Sequence, residues 1–440
     1  MNLPDYLTGL KAPVPDEVDA VDLPVTGTLP PELTGRYFRN GPNPLPGQDP
    51  GHWFAGAGML HGVRLRDGRA EWYRNRWVRT RELEGAPFVG PDGVDLTATP
   101  ANTSVIRHAG RILALVETGL PYEMTPELDT VGPYDFGGRL TTAMTAHPKT
   151  DPVTGELHFF GYGFVPPYLT YHRLSAAGEL VESRVVDVPG PTMIHDFTIT
   201  EHHVIWLDLP VVFDMNLLGS GMPYRWDDAY GARLGVMPRD GGETRWYPID
   251  PCYVFHVGNA CEDAEGRITL DAVRYTRAGF TGSWGRIGGA PDPAAAAAAS
   301  GGASLYRWTL DPATGAVKEE PLDDRNVEFP TLNDERLGRA SRFLYTVTGD
   351  AIVKYDTRTG GSHVRDLGRS PGEAVFVPAA DARAEDAGWL LSIVTDRAGD
   401  GSELLVLDAA ELEFVASVRL PRRVPAGFHG NWLGESASRS

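Results

Sequence analysis

The chain has 440 residues, of which 42% are hydrophobic and 22% charged, a composition typical of a folded globular protein and not of a disordered one. Its 59 Asp and Glu residues outnumber its 40 Lys and Arg residues, so the formal net charge is −19. Such an acidic surface repels phosphate backbones, which excludes nucleic acid as an expected partner. Two cysteines rule out a disulfide framework and fit a reducing compartment.

The opening stretch "MNLPDYLTGLKAPVPDEVDA" has neither a basic region nor an apolar run of the kind found in signal peptides. No stretch approaches the roughly 20 apolar residues of a membrane span. We therefore expect a cytoplasmic protein, either free or lying on a membrane surface. The high usage of Gly, Ala and Arg is typical of a GC-rich bacterial genome.

Short segments with alternating apolar residues recur along the whole chain, and long helical patterns are nearly absent. The segments include "TSVIRHAGRILALVE", "GELHFFGYGF", "HHVIWLDLP", "CYVFHVGNAC", "RITLDAVRY", "RFLYTVTG" and "SELLVLDAAE". This alternation predicts strands. Three of the connections, "TDPVTGEL", "LDPATGAV" and "YDTRTGGS", share an Asp-x-x-Thr-Gly form that predicts an Asx turn followed by a glycine with positive φ.

Many short antiparallel strands joined by a recurring hairpin predict an all-β fold, most simply a β-propeller. An array of two-sheet sandwiches is the alternative. The low-complexity stretch Gly288–Ser304 is expected to be a surface loop, mobile at least in part. Because the segments on both sides of it are strand-like, we treat residues 1–440 as one domain.

The segment "PTMIHDFTITEHHVIW" (Pro191–Trp206) contains three of the twelve histidines. Adjacent residues on a strand point to opposite faces, so His202 and His203 are not expected to bind one metal ion. His52 and His61 lie across a glycine-rich turn, but nothing nearby in the sequence supplies further ligands.

Cys252 and Cys261 flank His256 and offer a rival zinc site. They would face opposite ways on a continuous strand, and they lack the close C-x-x-C spacing of a zinc thiolate site. We interpret both as small buried hydrophobic residues.

Four other histidines lie inside or beside apolar segments: His147, His195, His256 and His429. A buried imidazole must satisfy two ring nitrogens, and a metal ion together with a nearby acceptor would satisfy both. Their spacing is too long for one helix or hairpin, but the inner strands of different propeller blades meet at one axis. The residues alone do not exclude that the four histidines are unrelated polar side chains.

The motifs that accompany these histidines resemble those of the carotenoid cleavage oxygenase family, nearly end to end. They are "GRYFRNGPNP", "HWFAGAGMLHG", "NRWVRT", "ANTSV", "AHPKTDPVTGELHFFGY", "MIHDFTIT", "FHVGNACED", "VEFPTLN", "PGEAVFVP" and "GFHGNWL", in that order. The resemblance implies a seven-bladed β-propeller, with loops forming a cap over the metal-bearing face. It also implies a non-haem Fe(2+) ion on the axis.

The resemblance makes His147, His195, His256 and His429 the iron ligands and Glu117, Glu328 and Glu373 the acceptors for three of their ring N–H groups. Each glutamate lies in an apolar run, where a bare carboxylate would be costly. Thr103 matches a family threonine whose methyl group crowds one open iron position. Imidazole ligands alone would also suit zinc or copper, so the choice of iron rests on the resemblance.

The sequence departs from the family at four positions. Ala55 and Ala57 replace the usual aspartates of a glycine-rich turn, which is expected to alter the loop or substrate entry. Val116 stands where stilbene-cleaving members have a lysine, and Trp77 stands where they favour tyrosine. The last two changes favour an apolar polyene over a phenolic stilbene.

The expected activity is cleavage of one carbon–carbon double bond of a carotenoid or apocarotenoid by O2, giving two carbonyl products. A hydrophobic polyene would need a tunnel lined by aromatic side chains, for which the candidates are Trp53, Phe54, Phe164, Phe280 and Phe329. Because such substrates reside in membranes, we expect an apolar entrance patch within Pro210–Tyr224, tipped by Phe213, Leu217 and Leu218.

Three alternatives remain. A stilbenoid dioxygenase would use the same iron on a phenolic alkene. A non-catalytic propeller scaffold would bind no stoichiometric iron and would tolerate loss of the four histidines. An isomerohydrolase, a further activity of the family, is disfavoured because the chain has no obvious palmitoylation sites.

Overall fold

The computed structural model describes residues 3–91, 93–218, 221–289 and 302–435. Short strands make up most of it. The first twenty are β1 (Asp19–Val21), β2 (Val25–Gly27), β3 (Gly35–Pro42), β4 (Gly58–Arg66), β5 (Arg69–Trp77), β6 (Val89–Gly90), β7 (Gly93–Val94), β8 (Ser104–His108), β9 (Arg111–Leu115), β10 (Tyr122–Met124), β11 (Thr130–Pro133), β12 (Lys149–Thr150), β13 (Leu157–Tyr162), β14 (Leu169–Leu174), β15 (Leu180–Val185), β16 (Thr198–Ile199), β17 (His203–Asp208), β18 (Val211–Phe213), β19 (Tyr224–Trp226) and β20 (Arg233–Pro238).

The remaining strands are β21 (Arg245–Pro248), β22 (Tyr253–Glu262), β23 (Ile268–Tyr275), β24 (Ala303–Leu310), β25 (Val317–Pro321), β26 (Glu328–Thr331), β27 (Phe343–Thr348), β28 (Ala351–Asp356), β29 (Gly361–Asp366), β30 (Ser370–Pro371), β31 (Val375–Pro378), β32 (Gly388–Thr395), β33 (Ser402–Asp408), β34 (Phe414–Arg419) and β35 (Gly430–Gly434). The helix α1 spans Arg277–Arg286. Single 3-10 turns occur at Asp5–Leu7, Gly9–Lys11, Trp53–Ala55, Met215–Leu217 and Asp334–Arg336.

Most of the strands form seven antiparallel sheets, each of four to six strands, which are the seven blades of a β-propeller. In order of their inner strands, the sheets are β1-β5-β4-β3-β35, β8-β9-β10-β11, β12-β13-β14-β15, β16-β17-β20-β21, β22-β23-β24-β25, β26-β27-β28-β29 and β30-β32-β33-β34-β2, with β31 also paired to β32. We number them blades 1 to 7. The predicted propeller is confirmed, and the sandwich alternative is wrong.

Segments from the two ends of the chain close the ring. Strand β35 pairs with β3 in blade 1, with Tyr37 opposite Trp432. Strand β2 pairs with β34 in blade 7, with Val25 opposite Val418. Because each of these blades is completed by a segment from the other end of the chain, the strands pack as one continuous ring.

One strand of each blade lies next to the axis: β35 in blade 1, β31 in blade 7 and the first strand given above in the other blades. These inner strands contact one another, as in the pairs β16–β22, β22–β26, β31–β35 and β35–β8. All of them start from the same face of the ring. Residues near their starts therefore converge, although they are far apart in sequence. Seven such residues, one from each blade, are Thr103, His147, His195, His256, Glu328, Glu373 and His429.

The blades are held together by apolar side chains packed between neighbouring sheets. Between blades 3 and 4, Trp206 is fully buried, stacks on Phe197 at 5.4 Å between ring centroids, and meets Phe160 edge to face at 5.8 Å. Burying one side chain of this size contributes about 1.5–3 kcal/mol. Repeated around the ring, this packing holds the inner strands in place.

The three repeated turns have the predicted geometry. The carboxylate oxygens of Asp151, Asp311 and Asp356 accept backbone N–H bonds from the residues two positions later, at 2.8, 2.9 and 3.1 Å. The glycines that end these turns have φ of +70°, +79° and +75°. Such angles strain any residue with a Cβ, which explains the glycine in each motif.

Two segments that leave the blades, the helix α1 and the hairpin β18–β19, pack over residues near the axis. Trp284 of α1 lies 5.8 Å from Phe54 between ring centroids, and Trp226 of the hairpin lies 5.9 Å from Phe280 of α1. Thr276 caps α1 by accepting the N–H of Gly279 at 3.1 Å, and Phe280 and Trp284 on the helix are buried. The predicted cap is confirmed. Most of the low-complexity stretch predicted as a mobile loop, residues 290–301, lies outside the described residues.

Within the residues described, no helix is both long and apolar enough to cross a membrane.

The prediction that His202 and His203 point in opposite directions is wrong. His202 lies in the turn before β17, so the alternation of a strand does not apply to it. The Nδ1 atoms of both histidines lie 2.9 and 3.0 Å from the two carboxylate oxygens of Glu262, which also accepts the Thr200 hydroxyl. Because Glu262 lies on β22, the bonds from the two histidines connect blade 4 to blade 5.

Glu262→Gln is expected to lower the free energy of unfolding by about 1–2 kcal/mol at pH 7, because the carboxamide is uncharged and has one accepting oxygen, whereas the carboxylate accepts on both of its oxygens. Burial raises the pKa of Glu262, but hydrogen bonds from His203, Thr200 and His202 outweigh it and hold the pKa below its usual range. A depressed pKa stabilises the fold above the unfolded-state value of about 4.3 and loses that effect as the pH falls through the folded-state value. Urea unfolding should show the difference between the two proteins shrinking below about pH 4; a constant difference would contradict this role.

Candidate metal centre

Four histidines from four blades meet on the axis. His147, His195, His256 and His429 each offer one ring nitrogen, and these four atoms lie within 4.8 Å of one another. The Nε2 atoms of His147 and His195 are only 3.1 Å apart. His195 is 6% exposed and His429 8%. The side chains singled out in the sequence therefore form one buried cluster.

A bulge in β22 turns His256 towards this cluster. Val254 pairs with Arg274 and Val257 pairs with Ala272, so β22 carries one more residue than its partner between these two pairs. An extra residue bends a strand and re-aims its side chains. Without it, the alternation of the strand would continue through His256.

Three carboxylates accept the outer ring N–H groups of three histidines. His195 Nδ1 contacts Glu117, His256 Nδ1 lies 2.5 Å from Glu328, and His429 Nδ1 lies 2.9 Å from Glu373. A proton held on Nδ1 leaves the lone pair on Nε2, directed towards the other histidines. The arrangement matches the one the resemblance implies for all three glutamates.

The second oxygen of each carboxylate is also occupied. The Tyr162 hydroxyl donates to Glu117 at 2.7 Å, and the Tyr275 hydroxyl donates to Glu328 at 2.6 Å. Glu373 accepts the backbone N–H of Gly430 at 2.7 Å. Sequence reasoning missed both tyrosines, since each comes from a strand far along the chain from its glutamate.

The electrostatics of the cluster favour a bound cation. Burial, together with the other three histidines, lowers the pKa of His147 well below its ordinary value. Burial also lowers the pKa of His256, with Glu328 acting in the opposite direction. For His195 the lowering effect of burial is outweighed by Glu117, and its pKa is raised. Four imidazole nitrogens that converge on one point are a donor set that fits a divalent metal ion.

Thr103 lies beside the cluster. Its carbonyl accepts the backbone N–H of His429 at 3.2 Å, and its hydroxyl donates to Asn102 Oδ1 at 3.0 Å. Thr103 directly precedes β8, and its backbone contacts a histidine of the cluster. The role of its methyl group stays a prediction.

Two of the five predicted aromatic residues contact the histidines. Phe54 stacks on His195 at 6.4 Å between ring centroids, and Phe329 stacks on His256 at 5.1 Å. Phe329 has a φ of +52°, which is unusual for a bulky residue and indicates that the surrounding structure imposes this position.

The other three predicted aromatic residues lie further out. Trp53 packs on Phe428 at 4.7 Å, and Phe280 stacks on Phe255 at 6.0 Å. Phe164 stacks on Phe213 at 5.1 Å, in the hairpin segment and not against a histidine. The predicted residues thus range from the cluster out towards the hairpin.

Phe255 and Phe428 belong to the same aromatic layer and were not predicted. Phe255 lies 5.3 Å from the ring of His195, and Phe428 lies 5.3 Å from Phe54. Each of them directly precedes a histidine of the cluster in the sequence. Their position directly before a histidine could have identified them, because residues before the histidines lie towards the capped face.

Residues that follow the histidines line a cavity of about 560 Å³ on the other side of the cluster, which we call the axial cavity. His147, His256 and His429 contribute to its wall, and its charged lining residues are Arg107, Lys149, Asp196, Asp334, Glu335 and Glu373. Lys149 pairs with Asp196 at 2.7 Å. The cluster therefore separates an aromatic side from a polar side.

The four departures from the family pattern do not touch the cluster. The loop containing Ala55 is held by Asn102, whose side-chain amide donates to the carbonyls of Phe54 and Gly56, both at 2.7 Å. Ala57 packs beside Trp77, whose indole N–H donates to the Asn43 carbonyl at 2.8 Å. Val116 is buried and has no polar side-chain atom.

The remaining histidines and cysteines considered in the sequence lie elsewhere. His52 Nδ1 accepts the Phe54 N–H at 3.0 Å, and His61 bonds the Tyr73 hydroxyl at 2.9 Å. Burial raises the pKa of Cys252 to about 12, as expected for an inert buried thiol. Cys261 is only partly buried.

Comparison with known proteins decides the family. The family described as retinal pigment epithelial membrane protein matches residues 11–434. A carotenoid cleavage oxygenase of Mycobacterium tuberculosis is 43% identical, with 97% of each chain covered. The chain belongs to the carotenoid cleavage oxygenase family. A carotenoid 9,10(9',10')-cleavage dioxygenase 1 of Arabidopsis thaliana is 34% identical over 98% of this chain and 90% of its own.

Solved structures of carotenoid cleavage oxygenase relatives share the fold. Cobalt-substituted Synechocystis apocarotenoid oxygenase superposes with a TM-score of 0.82 at 28% identity, covering 96% of this chain and 97% of its own. The lignostilbene dioxygenase of Pseudomonas brassicacearum superposes with a TM-score of 0.86 at 28% identity, covering 99% and 100%. The first of these is a metal-substituted protein, in keeping with a metal centre at the four histidines.

Proposed function

We propose that the protein is an iron(II)-dependent dioxygenase that cleaves one double bond of a carotenoid or apocarotenoid into two carbonyl products. The observation that carries the proposal is the cluster of four buried imidazoles, three of them held by carboxylates. Ferrous iron bound there would supply the centre at which O2 and the alkene react. Both oxygen atoms enter the products, so no other reductant is required.

The side chains around the cluster would bind and orient the substrate. Phe54, Phe255 and Phe428 form an apolar layer beside His195, where a polyene would displace water. Phe329 lies against His256 and His429 and would limit how the chain of double bonds passes the metal. No side chain has to transfer a proton, so the rate depends mainly on how precisely the protein holds the alkene beside the metal.

Purified protein should contain one iron per chain and convert an apocarotenal under 18O2 into two shorter aldehydes or ketones, each carrying one label. Mass spectrometry of a carotenoid panel would also identify the bond that is cut. Absence of stoichiometric iron together with absence of cleavage would instead favour the binding-scaffold alternative.

Stilbenoid cleavage is the second candidate, because the lignostilbene dioxygenase shares the fold. A phenolic substrate needs polar partners, but Val116 offers none and the Trp77 N–H is already bonded to Asn43. We expect turnover of an apocarotenal to exceed that of resveratrol by at least an order of magnitude. The reverse order would assign the enzyme to stilbenoids.

We further propose that the enzyme is cytoplasmic and touches membranes through the β18–β19 hairpin. Met215 and Leu218 are 65% and 54% exposed, and the partly buried Phe213 anchors the hairpin against Phe164. The hairpin carries the predicted tip, Phe213, Leu217 and Leu218, and its residues 219 and 220 lie outside the described part. Exposed apolar side chains next to a patch of aromatic residues are typical of a membrane contact.

Combining Phe213→Ala, Leu217→Ser and Leu218→Ser should weaken binding to liposomes by about tenfold or more, since each loses part of its apolar burial. The control combines Val364→Ser with Phe414→Ser, which removes similarly exposed apolar side chains from other blades. Flotation assays measure the bound fraction. Equal binding by both variants would exclude the hairpin as the contact.

A further inference from the structure

The axial cavity reaches the histidine cluster from the side opposite the aromatic layer. Its lining comes from residues that follow the histidines in their inner strands, such as Lys149, Val257 and Gly430. The aromatic layer comes from residues that precede them, such as Phe255 and Phe428. Because Arg107, Thr150, Asp334 and Glu335 in its lining are exposed, the cavity opens to solvent.

The charged side chains that line the cavity are four carboxylates, Asp196, Asp334, Glu335 and Glu373, and two cations, Arg107 and Lys149, so carboxylates are in excess. Lys149 is neutralised by Asp196, which also accepts the Val257 N–H at 2.8 Å. Glu373 is bonded to His429. Among the ion pairs of the described residues, none includes Asp334 or Glu335.

A hydrated divalent cation could pass the aromatic side only by giving up its water among phenyl rings, at a large cost. In the axial cavity it would keep its water and meet two unpaired carboxylates. A volume of about 560 Å³ leaves ample room for a hydrated ion. An apolar polyene gains nothing from charged walls, and neither does O2.

We propose that the axial cavity is the route by which Fe2+ reaches the four histidines, with Asp334 and Glu335 attracting the hydrated ion. The inference rests on the proposed function, since it requires that the cluster bind a metal. On this proposal, the substrate enters from the capped face of the propeller, and the metal ion enters from the opposite face.

Metal uptake by chelator-stripped protein tests the route, with Co2+ absorbance followed by stopped flow. Asp334→Asn combined with Glu335→Gln should slow association about fivefold at low ionic strength, and the difference should vanish near 1 M salt. Because a route acts equally on entry and exit, release to a chelator should slow by a similar factor and the Kd should change little. Glu243→Gln, an exposed carboxylate outside the cavity, is the matched control.

A second variant blocks the mouth without altering these charges. Thr150→Cys, made in a Cys261→Ser background and labelled with a bulky maleimide, should slow Co2+ uptake at least tenfold, whereas labelled Glu243→Cys should not. Unchanged association rates in both the charge variant and the labelled protein would overturn the route, as would a faster release with unchanged association. Failure of the unaltered protein to bind one Co2+ per chain would instead overturn the proposed function.

Discussion

His256→Ala should abolish both metal binding and double-bond cleavage. The substitution removes one of four ligands and leaves the buried carboxylate of Glu328 without its imidazole partner. We expect less than about one tenth of the normal metal content and at least a hundredfold loss of cleavage rate, because a three-ligand site holds iron weakly and in the wrong geometry. Elemental analysis and product assays measure the two effects.

The matched control is His202→Ala. His202 is also a histidine bonded to a glutamate, but it lies in an exposed turn away from the axis. It should retain full metal content and activity. If His256→Ala kept stoichiometric metal, the cluster would not be the metal site.

Glu328→Gln should reduce metal affinity by about 10–100-fold, the usual effect of removing a carboxylate that supports a ligating histidine. Burial raises the pKa of Glu328, but its contacts with His256, Tyr275 and the Phe329 N–H more than offset this and lower the pKa. The carboxylate is therefore ionised at neutral pH and contributes a negative charge near the metal. The neutral amide keeps the shape and removes that charge. Competition between the protein and a chelator for Co2+ gives the affinity.

Tyr275→Phe provides a graded comparison. It removes only the hydroxyl bonded to the second oxygen of Glu328. The loss in affinity should be smaller than for Glu328→Gln, and Tyr345→Phe, which removes a buried hydroxyl bonded to the Ala409 carbonyl, should have no effect. An equal loss in the Tyr345 variant would point to general destabilisation.

Local signals in the sequence allowed the propeller to be anticipated, whereas the cluster was anticipated mainly from the resemblance to a family. Strand alternation and the Asp-x-x-Thr-Gly turns predict the blades, and the histidines lie in motifs such as "MIHDF" and "GFHGNWL". Contacts between blades were not anticipated. The bonds from Tyr162 to Glu117 and from Tyr275 to Glu328 join residues of different blades, and no local pattern encodes them.

Errors arose where a local rule was applied outside its range. The opposite-face rule failed for His202 because the strand begins one residue later. Phe164, which stacks on Phe213 at the hairpin, stays a prediction as a tunnel residue. The axial cavity could not be foreseen, because it depends on the common direction of seven inner strands.

Joining β35 to β3 has a consequence for the order of events during synthesis. His429 directly precedes β35, which is added to a sheet whose other strands come from the first 77 residues. Residue 434 must therefore leave the exit tunnel of the ribosome before β35 can pair with β3 and position His429. Nascent chains hold at most three of the four imidazoles in position, so the complete four-histidine cluster forms only after the ring of blades has closed.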